Sequence, residues 1–117
     1  GKLPPETLQA HAAALVAKLE DSDEHVRYEV VTVLGRLPPE ALQAHAGALV
    51  ARLEDSEGNV REAAVEALGK LEASALEAHA PALAARLKDA DRDVRWAAAW
   101  ARKRVHGVDC QATLDLL

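Results

Sequence analysis

Between Gly35 and Leu68, apolar side chains fall at Leu42, Ala46, Leu49, Val50 and Leu53. This is the i, i+4, i+7, i+8, i+11 spacing that lines one face of a helix. The run Asp55, Ser56, Glu57, Gly58, Asn59 then breaks the stripe with residues that form caps and turns. A second stripe, Val60, Ala64, Ala67 and Leu68, predicts another helix. Gly69 follows it, where a glycine in the left-handed conformation commonly ends a helix. The segment therefore predicts a helical hairpin, a first helix A followed by a second helix B.

The hairpin is written three times, at residues 1–34, 35–68 and 69–102. Without gaps, the first two copies share 22 of 34 residues and the last two share 18 of 34. A period of this length marks a stacked array, in which each unit buries its apolar face against its neighbours. One slot refines the unit: Ala13, Gly47 and Pro81 are equivalent. A position that accepts both Gly and Pro does not belong deep inside an unbroken helix, whereas Pro is tolerated in a first turn. Helix A is thus expected to divide, with short leading helices near residues 5–12, 39–46 and 73–80. After the third unit, Arg102 and Lys103 stand where Leu and Gly stood. This predicts a longer last helix B, a turn at Gly107 and a short capping helix near 109–117.

The string Leu53, Asp55, Val60, Arg61, Ala64, Leu68, Gly69 resembles the HEAT-like repeat. The first unit repeats it with Leu19, Asp21, Val26, Arg27, Val30, Leu34 and Gly35, and the third with Leu87, Asp89, Val94, Arg95 and Ala98. The resemblance, which also touches the related armadillo repeats and the HEAT-like units of phycobilin lyases, covers residues 1 to about 105. It implies an all-α, right-handed α-solenoid of three 34-residue repeats with a C-terminal helical cap at 103–117, one repeat domain over 1–117. The chain starts in phase with the repeat and without Met, and so reads as a fragment of a longer array. In HEAT-like proteins, aspartates and arginines such as Asp21 and Arg27, Asp55 and Arg61, and Asp89 and Arg95 resemble a ladder between successive turns. The second helices line the concave side, and these folds typically serve as scaffolds for proteins or peptides.

Composition narrows the chemistry. Half of the residues are hydrophobic, yet Phe and Met are absent and Ala, Val and Leu dominate, which suits close helix packing. The net charge of −5 disfavours a nucleic acid or an anionic membrane as partner. The single Cys110 excludes an internal disulfide. With no leader and no spanning stretch, the expectation is an intracellular, cytoplasmic protein.

No catalytic constellation emerges. His11, His45 and His79 share one slot, but equivalent atoms of neighbouring units lie about 10 Å apart, and zinc needs ligands at about 2 Å. Deoxyhypusine hydroxylase, a HEAT-like enzyme, carries His-Glu pairs after the Val-Arg motif to bind iron. The matching positions here are Tyr28-Glu29, Glu62-Ala63 and Trp96-Ala97. His106, Asp109 and Cys110 lie close in sequence, but Gly107 separates them from a continuous helix. The expectation is a non-enzyme without cofactor or metal.

Two slots of helix B, one turn apart and off the apolar stripe, vary freely between units: Tyr28, Glu62 and Trp96, then Thr32, Glu66 and Trp100. These six residues are the expected partner-binding strip, since Trp and Tyr commonly anchor interfaces. For Trp96 and Trp100, packing under the C-terminal cap competes with partner contact. Two other readings remain: an excised or engineered module without a partner of its own, and the scaffold portion of a larger enzyme or DNA-binding protein. Self-association through the first unit is a further possibility.

Overall fold

The computed structural model describes residues 13–106, and all of the regular structure among them is helical. The chain enters in a helix, α1, described over residues 13–17, and tightens into a 3₁₀ turn at Lys18–Glu20. Helix α2 (Glu24–Leu34) returns along it. The second hairpin comprises α3 (Pro39–Gln43), α4 (Ala46–Ala51), a 3₁₀ turn at Arg52–Glu54 and α5 (Gly58–Leu68). The third repeats the order with α6 (Ala73–Ala78), α7 (Ala80–Ala85), a 3₁₀ turn at Arg86–Lys88 and α8 (Arg92–His106). Helices α2 and α8 pack on opposite sides of α5. The core is a row of small seams built from Leu34, Leu42, Val60, Leu68, Leu76 and Val94, all fully buried.

The first helix of the second and third units is divided, as the Ala13/Gly47/Pro81 slot requires. The break falls at His45 (φ −112°, ψ 9°) and at His79 (φ −104°, ψ 7°). Pro81 lands in the first turn of α7, where its missing N–H costs no helical hydrogen bond. The leading helix expected at 5–12 lies outside the described residues, and so does His11. Helix α8 runs on past the Arg102-Lys103 substitution to His106. The rest of the expected cap, from Gly107 to Leu117, lies outside the described residues.

The glycines that close the second helices have a different job from the one expected. Gly35 (φ −65°, ψ −13°) and Gly69 (φ −64°, ψ −13°) keep right-handed backbone. What they provide is room. A Cβ on Gly35 would lie 3.2 Å from the Cβ of Ala67, tighter than ordinary van der Waals contact. One on Gly69 would lie 3.7 Å from the Cβ of Ala101. The side chain is absent where one second helix ends against the next.

The seams are pinned by a ladder whose register differs from the six-residue pairing within a unit. Arg27 of α2 reaches forward to the next unit, donating from Nε to Asp55 Oδ2 (2.8 Å) and from Nη2 to Asp55 Oδ1 (3.1 Å). Arg61 does the same with Asp89, at 2.8 and 2.9 Å. The aspartate six residues upstream contributes only its main-chain oxygen: Arg27 Nη1 donates to the Asp21 carbonyl, and Arg61 Nη1 to that of Asp55, each at 2.8 Å. A single guanidinium thus ties its own turn to the following one with a bidentate, charge-assisted pair.

The opposite direction is served by a second set of arginines. Arg52 Nη1 donates back to the Leu19 carbonyl (3.0 Å) and to Asp55 Oδ2 (3.3 Å). Arg86 repeats this with Leu53 (2.8 Å) and Asp89 (3.2 Å). Both aspartate side chains are only 2% exposed. Burial by itself would push the Asp55 and Asp89 carboxyls up. The hydrogen bonds from Arg27 or Arg61, the backbone N–H two residues on, and the second arginine outweigh it and hold both below the usual carboxylate range.

Candidate partner-binding face

Helix α5 places Glu62 and Glu66 one turn apart because Val60, Ala64, Ala67 and Leu68 turn the opposite face into the core. Helix α8 does the same for Trp96 and Trp100, with Val94, Ala98, Ala99 and Ala101 buried beneath them. The two helices pack side by side, so the acids of one and the indoles of the other wall a cleft of about 520 Å³. Val65, Ala97 and Ala101 form its apolar floor, and Asp93, Lys70 and Arg104 also border it. Trp96 is half-buried and packs against the core, whereas Trp100 is 55% exposed.

Four of the six residues expected on the strip therefore meet at one place. Thr32 stands apart, in a smaller hollow of about 160 Å³ between α2 and α5 that Glu66 also lines. Its hydroxyl donates back to the Glu29 carbonyl (2.8 Å). Tyr28 is 39% exposed and lines neither hollow. The strip is continuous from Thr32 through Glu66 to the tryptophans, with Tyr28 at its margin.

The electrostatics of the cleft are unbalanced. Glu62 is half-buried, and desolvation, reinforced by the adjacent Glu66 charge and by Asp93 and Asp91, raises its carboxyl above the usual range. Among the described residues neither Glu62 nor Glu66 has an ion-pair partner. The nearby Lys70 turns away, donating from Nζ to the Gly35 carbonyl at 3.1 Å. The Nζ of Lys103 stands 5.1 Å from the centroid of the Trp100 ring, an ammonium held on an indole within the chain.

A second large hollow, about 420 Å³, lies at the turns and is lined by Asp21, Arg27, Arg52 and Asp55. Its arginines and Asp55 are committed to the seam ladder, and the carboxylates of Glu20, Asp21 and Glu54 that also line it leave it acidic. His45 and His79 serve the helix break through their carbonyls, which accept from Leu49 N and Leu83 N. No side-chain hydrogen bond forms at either ring among the described residues. There, no three His, Cys, Asp or Glu residues stand close enough to hold a metal. Among the described residues no helix is long and apolar enough to cross a membrane.

Sequence reasoning missed Arg52 and Arg86 as seam residues and Asp93 as a wall of the cleft. The signal for the arginines was present: their slot reads Lys18, Arg52, Arg86, always cationic, and becomes arginine in the second and third units. Asp93 gave none, because an acid in a helix's first turn is what any helix start favours.

The family model described as HEAT repeats matches residues 12–103 of this chain. Among solved structures, the crystal structure of an engineered protein superposes with a TM-score of 0.70 at 20% identity, over 90% of this chain and 50% of that one. This chain spans half the length of that structure, and at such identity the likeness speaks for the fold. No curated protein matches this chain.

Proposed function

This chain belongs to the HEAT-repeat family, and from that premise we propose that it is a non-catalytic scaffold that holds a protein or peptide against the face of its second helices. The observation that carries the reading is the convergence of Glu62, Glu66, Trp96 and Trp100 on one open cleft. They occupy slots of helix B that vary freely between otherwise similar units. Recognition here means surface complementarity: indoles supply rigid apolar area and carboxylates supply orientation. The two glutamates at the centre of the face would repel a phosphate backbone, which argues against nucleic acid. Intracellular, cytoplasmic residence fits a lone cysteine and is part of the same proposal.

The test is selection from a random peptide display library on the immobilised chain. Enriched peptides are expected to lose binding to the Glu62→Lys/Glu66→Lys double variant and to keep it for Glu77→Lys, a change on exposed α6 surface. Peptides that bind the double variant as well as the parent chain would move the site elsewhere. A second reading, a repeat module without a partner of its own, draws on the 22 of 34 residues that the first two units share and on the engineered origin of the solved structure above. It predicts no enrichment at all.

A further inference from the structure

The cleft between α5 and α8 holds two features that are informative together. One wall carries two carboxylates on adjacent turns of the same helix, where like charges repel. Neither makes an ion pair among the described residues: Lys70 is engaged with the Gly35 carbonyl, and Arg104 borders the cleft without coming within 4.0 Å of either carboxylate, while Asp93 adds a third acid to the lining. The other wall carries two indoles spaced one turn apart, and the Trp100 ring already attracts one ammonium, that of Lys103. An indole face attracts cations, and a carboxylate pair supplies the counter-charge and the hydrogen-bond acceptors. Between them the floor is apolar, made of Val65, Ala97 and Ala101, and suits an aliphatic stem.

Taking the scaffold reading as its basis, we infer that this cleft is a pocket for a basic side chain of the bound peptide, arginine or lysine. The stem lies along the Trp96 and Trp100 rings, and the cationic head is received by Glu62 and Glu66. The volume of about 520 Å³ accommodates such a side chain together with some of its flanking backbone. An acidic peptide would meet the glutamates as like charges. A purely apolar side chain would leave a half-buried carboxylate unpaired, which costs binding energy. The equivalent junction between α2 and α5 offers no such site, since its hollow is smaller and has no aromatic residue.

The experiment uses the full chain, labelled with ¹⁵N, and reads the two indole N–H resonances, which belong to Trp96 and Trp100 alone. Three blocked heptapeptides are titrated, Gly/Ser throughout except for a central arginine, norleucine or glutamate. The arginine peptide is expected to shift both resonances saturably. Norleucine, which keeps the stem and lacks the charge, should bind about tenfold more weakly, as should the arginine peptide on the Glu62→Gln/Glu66→Gln variant. Equal shifts with norleucine, unmoved indoles with arginine, or unchanged affinity in the glutamine variant would each overturn the inference. The scaffold reading fails separately, because display peptides that lose binding to the lysine variant yet carry no basic residue would uphold the face and reject the cation pocket.

Discussion

At the scale of single residues, Asp55 and Asp89 matter most to the stack. Each accepts from two arginines and one backbone N–H while almost wholly buried, so its removal strands a buried guanidinium. Asp55→Ala is expected to cost about 3 kcal/mol in urea unfolding. The side chain of Asp21, at the equivalent slot of the first unit, accepts the Asp23 N–H and no arginine among the described residues, so Asp21→Ala should cost about 1 kcal/mol. The contribution of Asp55 also has a pH signature. A carboxyl held low in the folded state adds stability above its unfolded value and loses it as pH falls through the folded one. The gap in urea midpoint between the parent chain and Asp55→Ala should therefore be widest at neutral pH and narrow on acidification below about pH 4. That aspartate and arginine act together was legible in the sequence, because both recur in every unit. Their register was not: a six-residue spacing within a unit and a 28-residue spacing across the seam are equally regular in a repeat of fixed period.

The elements were largely legible because each rests on a local rule. Stripes of period 3.6 gave the hairpins, and the Gly/Pro slot gave the divided first helix. The loss of Leu-Gly at Arg102-Lys103 gave the extended α8. The glycines at the helix ends misled because two causes leave the same residue behind: left-handed backbone and close approach both favour Gly. The structure separates these causes, and substitution should as well. Gly47 lies inside α4 with open space around its missing Cβ, so Gly47→Ala should stabilise the fold by about 0.5–1 kcal/mol through helix propensity. Gly35→Ala should destabilise it by about 1 kcal/mol or more, because the new methyl presses on Ala67. Thermal melts of the two variants on either side of the parent would check the pair, and a stabilising Gly35→Ala would remove the packing argument.

At the scale of the whole molecule, stability is a sum of units and seams, with α5 packed between α2 and α8. Weakening one seam should then release one unit. Both tryptophans lie in the third unit, so in Asp89→Ala the fluorescence transition in urea should precede the loss of helical circular dichroism, while in the parent chain the two coincide. The candidate face is a product of the same stacking, since the cleft exists only where the acids of one unit stand against the indoles of the next. That Glu62, Glu66, Trp96 and Trp100 lie together was legible, because they occupy variable slots one turn apart in a repeated pattern. The exclusion of Tyr28 from the cleft was not, because the cleft lies between α5 and α8 whereas Tyr28 belongs to α2, one seam earlier. The most direct test of the account is the backbone amide footprint of a display-selected peptide on the ¹⁵N-labelled chain. Perturbations should centre on Glu62, Glu66, Trp96 and Trp100 and fade through α4 and α7. A footprint centred on α3 and α6, with α5 and α8 undisturbed, would contradict it.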